Sequence, residues 1–229
     1  MASHAFGAKK PAKRKQQQKV PRKRRGEVLD IAARVFHEQG YEATSIQDIA
    51  DELGVLKGSV YYYISGKEDV LFELLQEVHK EALKVVTEAV ERDGDPLEKI
   101  YSFVETLSRF NADNQVRMGI FLHDFRSLSE DRRREIVRER DRYDRILRKL
   151  IGEGQEQGVV CPDLDPKLSA LAIMGMINTI YQWYQPGGRL RSETIGSSYA
   201  VLVTRALGCT PESHAAGHPE AQIALLTAD

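Results

Sequence analysis

The sequence predicts an all-α protein made of a small N-terminal three-helix unit and a larger C-terminal helical body. Three observations carry this reading. Apolar residues recur at spacings of three and four along most of the chain. No run of strictly alternating residues bounded by turn signals suggests a strand. Helix starts and stops are punctuated by Ser, Asp-Pro and Gly.

Residues 1–21 are rich in Lys, Gln, Pro and Ala with almost no apolar content, and are expected to form a disordered basic arm. Val28, Ile31, Ala32, Val35 and Phe36 then form a helical stripe that stops at Gly40. Ser45 reads as the N-cap of a short helix carrying Ile46, Ile49, Ala50 and Leu53, which ends at Gly54. A second short helix is predicted from about Leu56 to Tyr63, and after Ser65-Gly66 a long one from Lys67 to about Arg92. Asp95-Pro96 combines a cap with Pro at the first helical position and opens a helix to about Phe110. An amphipathic segment follows over 114–128, and Ser129 starts a highly charged helix to Gly158. Asp165-Pro166 opens another helix, read as ending at Tyr184 before Pro186-Gly187-Gly188. Ser192 opens the last, to about Leu207. The expected division is a basic arm at 1–21, a first domain at 22–66, a second at 67–209 and a flexible tail at 210–229.

The net charge of −1 hides an asymmetry. Residues 1–25 hold ten Lys and Arg and no carboxylate, so the other residues keep 23 of the 33 basic side chains against all 34 acidic ones, a net of −11. A basic arm on an acidic body fits a polyanionic partner, although a solubilising tail has the same composition. The two cysteines, Cys161 and Cys209, make no metal-binding or disulfide spacing, and a reducing cytoplasm is the expected compartment. No apolar stretch approaches the length of a membrane span, so no membrane partner is expected, and nothing calls for a cofactor or metal.

Two short helices joined across Leu53-Gly54-Val55 suit a helix-turn-helix over about residues 45–63, whose second helix enters the major groove of DNA. That helix carries Lys57, Gly58, Ser59, Tyr61, Tyr62 and Tyr63, and Lys67 follows. Lys supplies charge, hydroxyls donate to phosphate oxygens, and Gly lets the backbone come close. Arg24, Arg25, Thr44 and Ser45 complete the expected DNA-binding set. A lone tyrosine at such spacing is usually core, and one of the three is expected to pack inward.

The stretch Gly40-Tyr41-Glu42-Ala43-Thr44-Ser45-Ile46-Gln47-Asp48-Ile49-Ala50, with Leu53-Gly54-Val55, Gly58-Ser59-Val60-Tyr61-Tyr62-Tyr63 and Gly66-Lys67-Glu68-Asp69-Val70-Leu71, resembles the TetR family of transcriptional regulators. Leu53, Leu56 and Ile64 depart from the commonest pattern, and Leu56 removes a hydroxyl that often meets phosphate. The resemblance implies a dimer on a double-stranded DNA operator, usually a repressor, with a ligand pocket in the second domain. Pro162-Asp163-Leu164-Asp165 and Trp183-Tyr184-Gln185-Pro186-Gly187-Gly188 look like a branch regulating lipid and steroid catabolism, whose members can respond to acyl-coenzyme A thioesters. Met174 and Asn178 stand where one repressor of that branch carries an Arg and a Trp for the thioester, a departure that points away from the identical ligand.

The expected pocket draws on Phe103, Leu107, Phe110, Phe121, Phe125, Tyr143, Met174, Asn178 and Tyr181, although apolar residues at helical spacing are more often core. The expected dimer face is Ala172, Gly175, Met176, Thr179 and Trp183, where small residues let a helix approach closely. The effector implied is small and lipophilic, or an acyl-coenzyme A. Two other classes compete. Tyr63-x-x-x-Lys67 matches the Tyr/Lys spacing of short-chain dehydrogenases, but no strand and glycine-rich turn precede it. A helical adaptor without DNA contact leaves the basic arm and the motif unexplained.

Overall fold

The computed structural model describes residues 22–208, and the basic arm at 1–21 and the tail at 210–229 lie outside the described residues. The described chain runs α1 (Arg22–Gln39), α2 (Ile46–Glu52), α3 (Lys57–Val60), α4 (Lys67–Val90), α5 (Pro96–Asp113), α6 (Gln115–Asp124), α7 (Glu130–Glu156), α8 (Pro166–Asn178), α9 (Ile180–Trp183) and α10 (Ser192–Leu207). A short 3₁₀ turn, Phe125–Ser127, joins α6 to α7.

The punctuation acts as read at most ends. Ser45 Oγ accepts from the Asp48 amide at 3.3 Å while the Asp48 carboxylate accepts from the Ser45 amide at 2.7 Å, a reciprocal cap on α2. Asp95 and Glu98 repeat it on α5. Gly54 turns the chain between α2 and α3 with φ of 64°, a conformation that penalises a Cβ.

Three elements differ from the reading. The second short helix keeps only one α-helical turn, because Tyr62 and Tyr63 donate to Ser59 and Val60 in tighter i→i−3 bonds. Ser129 does not cap α7 through its side chain; its amide donates to Glu68 Oε1 at 2.9 Å. The helix expected over 166–184 breaks at Thr179, whose hydroxyl donates to the Met176 carbonyl at 2.8 Å. Gln115 on α6 steadies the broken end, since its amide donates to the Tyr181 and Tyr184 carbonyls.

Two apolar clusters fill the interior. The first joins Leu29, Phe36, Ile49, Val60, Ile64 and Leu71 to Leu75, Met118, Phe121 and Ile136, so the N-terminal unit shares its core with the lower ends of α4, α6 and α7. The second is built round α5, with Phe103, Leu107, Leu147, Ile151, Ile177 and Val203. α5 packs most extensively on α10. Gly196 permits that approach: a Cβ there would sit 2.7 Å from the Glu105 carbonyl oxygen.

Candidate nucleic-acid interface and effector cavity

The second helix of the motif is held from beneath and bare above. Val60 and Ile64 are buried, while Leu56 is 81% exposed, Tyr62 79% and Tyr61 49%. Lys57 and Gly58 are exposed and Ser59 is half-buried. Tyr63 is the inward member of the three, packed on the first core cluster. Arg24 is exposed at the start of α1.

Four of the expected DNA contacts have work inside the protein. Thr44 is buried and its hydroxyl donates to the Gly40 carbonyl at 2.8 Å, so it faces the core rather than a duplex. Ser45 spends its oxygen on the α2 cap. Arg25 makes a two-nitrogen pair with Glu73 of α4, and that carboxylate pushes the guanidinium pKa up. Lys67 donates to the carbonyls of Tyr41 at 2.7 Å and Glu42 at 3.1 Å with its amine 4.3 Å from the Tyr41 ring centroid. The amine that a Tyr/Lys catalytic pair would need is therefore engaged by the turn before α2. Leu56 is the exposed residue that the reading left unassigned, and its exposure beside Tyr62 gives the helix an apolar as well as a basic edge.

Polar links tie this unit to the rest. Arg117 on α6 pairs with Asp30 of α1 and Glu81 of α4. Arg132 on α7 pairs with Asp69 and Glu68 at the start of α4. Ser127 donates to the Glu42 carboxylate at 2.9 Å.

A cavity of about 30 Å³ lies between α4, α5, α6, α7 and α8. Five of the expected pocket residues line it: Leu107, Phe121, Tyr143, Met174 and Asn178. The other four do not. Phe103 is fully buried in the second core cluster. Phe110 packs between the two clusters. Phe125 faces an outer groove with Arg133, Val137 and Arg138. Tyr181 turns to the surface, its hydroxyl 3.2 Å from His123 Nε2. Val78, His79, Ala82, Asn111, Met118 and Arg140 complete the wall. His79 was legible in principle, being the one polar residue on the buried stripe of α4 with Leu71, Leu75, Val78 and Ala82. Burial pushes its imidazole down to about 4. A larger hollow of about 1120 Å³ is an open groove along α4 and α7. Two ion pairs stand in it, Arg25 with Glu73 and Arg132 with Asp69.

The outer face of α8 is apolar and bare. Ala172, Gly175, Thr179 and Trp183 of the expected dimer face are exposed, and Met176 is half-buried against the second cluster. Leu168, Leu171, Val201 and Leu202 extend that surface onto α10 and were not anticipated. Among the described residues no helix is long and apolar enough to cross a membrane, and no cluster of metal-ligating side chains occurs.

Residues 28–74 match the family described as bacterial regulatory proteins, tetR family, and residues 93–207 match the tetracyclin repressor-like C-terminal domain. The HTH-type transcriptional repressor KstR2 of Mycobacterium tuberculosis is 29% identical over 181 residues, covering 79% of this chain and 90% of that protein. The structure of this ketosteroid transcriptional regulator superposes with a TM-score of 0.76, at 28% identity and covering 82% of this chain and 96% of that one. PfmR of Thermus thermophilus is 34% identical with a TM-score of 0.73, covering 78% of this chain and 97% of that one. AibR, solved in complex with isovaleryl coenzyme A and operator DNA, is 27% identical with a TM-score of 0.71 at the same coverages. With both halves of the chain matched and the fold shared, the protein belongs to the TetR family and is a helix-turn-helix transcriptional regulator rather than an enzyme.

Proposed function

We propose that this regulator is a repressor that binds a palindromic operator as a homodimer and is released by a small lipophilic effector, with acyl-coenzyme A thioesters as first candidates. The observation that carries the DNA reading is the exposed edge of Leu56, Lys57, Tyr61 and Tyr62 over buried Val60 and Ile64. A rigidly seated helix with a bare basic and aromatic face fits major-groove contact. The exposed apolar surface of α8 and α10 fits a second copy, since monomers rarely leave such patches uncovered.

The size of the cavity sets how an effector would act. A space of about 30 Å³ holds little more than a water, against several hundred Å³ for a small-molecule site. An acyl group can enter only by displacing the wall. α6 contributes Met118 and Phe121 to that wall and grips α1 through Arg117, so displacing it tilts the reading helices. The effector must bind the DNA-free arrangement more tightly for this to act as release. AibR, solved in complex with isovaleryl coenzyme A, supports the thioester class.

The test is a genomic pull-down with the full chain, followed by titration of acyl-coenzyme A thioesters and their free acids into the recovered complex. Thioesters should weaken operator binding in proportion to occupancy. If no thioester or acid does so, the effector class is wrong while the DNA reading stands.

A further inference from the structure

The wall of the cavity contains a polar atom that no protein group satisfies. His79 is 6% exposed, and its Nε2 is buried with no hydrogen-bond partner in the structure. Its neighbours on α4 are Leu75, Val78 and Ala82, so the position asks for an apolar side chain. An unpaired buried nitrogen costs stability that a leucine or phenylalanine would not. The ring is also held in place. It meets Phe121 edge-on at 4.6 Å between centroids and lies 5.8 Å from Tyr143. The Tyr143 hydroxyl commits its proton to the His79 carbonyl at 2.5 Å.

We infer that His79 Nε2 is the anchor for one neutral oxygen, a ketone or hydroxyl, carried on the hydrocarbon body of the effector. This rests on the effector reading above. The apolar wall of Val78, Leu107, Phe121 and Met174 takes hydrocarbon, and the imidazole discriminates between a plain chain and an oxygenated one. Burial keeps the imidazole neutral at pH 7, with Glu139 and Arg140 acting on it in opposite directions. With its proton on Nε2 the neutral imidazole is an uncharged donor, which suits an uncharged oxygen. Asn111 and Asn178 line the same space and Asn111 makes only a long 3.4 Å bond to the Ile177 carbonyl, so the polar corner has capacity beside His79.

The experiment is calorimetric binding of the full chain to decanoyl-coenzyme A and to its 3-, 6- and 9-oxo derivatives. The wild type should bind one keto member roughly five to ten times more tightly than the parent, the worth of one buried neutral hydrogen bond. His79→Phe should bring that ratio to about one. His79→Leu gives the same reading if the larger ring does not fit, and His79→Gln should keep part of the preference. A keto preference absent from the wild type, or unchanged in His79→Phe and His79→Leu, overturns the role of His79 alone. Failure of every thioester to bind the wild type overturns the effector reading and this inference together.

Discussion

Arg117 Nη2 lies 2.5 Å from Asp30 Oδ1, so α6 grips α1 one residue before Met118 enters the cavity wall. Arg117→Ala should therefore cut the link between effector and operator. The loss of operator affinity caused by a saturating thioester should shrink by about 0.5–2 kcal/mol. Stability should change by less than about 1 kcal/mol, because Asp30 is largely solvated. Operator affinity measured with and without thioester in both proteins checks this; an unchanged difference removes the pair from the coupling.

The exposed edge of α3 should dominate operator affinity. Lys57→Ala is expected to cost about 1–3 kcal/mol and relax preference at one base position if the amine reads a base edge. An even loss across all duplexes would assign it to phosphate. Leu56, 81% exposed and apolar, suits contact with a thymine methyl, so Leu56→Ala, which shortens the side chain without adding a hydroxyl, should lower affinity for one A·T position selectively. Anisotropy on single-base operator variants separates these outcomes, and unchanged binding in both variants would remove this edge from the interface.

Lys67 should matter for folding as well as for DNA. Its amine makes two hydrogen bonds to carbonyls and lies over the Tyr41 ring. Lys67→Met is expected to lower unfolding free energy by about 1–3 kcal/mol in urea titration. Equal stability would show that water replaces these contacts without cost.

Stability should also depend on pH through His79. Burial holds its folded pKa near 4, below the ordinary 6.5. The unfolded chain then takes a proton near pH 6.5 while the folded chain resists it until about pH 4. The contribution is full above pH 6.5 and is lost as pH falls towards 4, by about 2 kcal/mol between pH 7 and 4.5. Glu77 and Asp124, both raised by burial, act in the opposite sense, so the comparison must be with His79→Phe. That variant should lose about 2 kcal/mol less over the same interval. Parallel losses would mean that the imidazole is solvated.

The expected basic arm lies outside the described residues and is tested by deletion. Removing residues 1–21 should weaken binding to operator and random duplex alike and flatten log affinity against log salt by roughly 0.9 per lost phosphate contact. An unchanged slope would leave the arm without a role on DNA.

The helices were legible because their signals are local. Ser45, Gly54, Asp95 and Asp165 act at their own positions, and the apolar periods survive any tertiary arrangement. The break at Thr179 was not, because it depends on Gln115 of α6 meeting carbonyls of Tyr181 and Tyr184. The exposed edge of α3 followed from the motif, whereas the inward turn of Thr44 and the engagement of Arg25 by Glu73 depend on partners far away in sequence. Of the aromatic pocket residues, Phe121 and Tyr143 line the cavity, whereas Phe103, one turn before Leu107 on α5, is packed inside the second cluster. His79 carried a sequence signal, a polar residue on an apolar stripe, whose meaning depends on the space in front of it.

Two copies of this chain should read one symmetric site. The direct measurement is a footprint of the full chain on a genomic fragment recovered by pull-down, with the mass of the complex determined in parallel. The expected result is a protected inverted repeat, its half-sites on one face of the duplex with centres roughly 34–36 Å apart or further, bound by an even number of chains. Protection of a site without inverted symmetry, by a single chain, would contradict it.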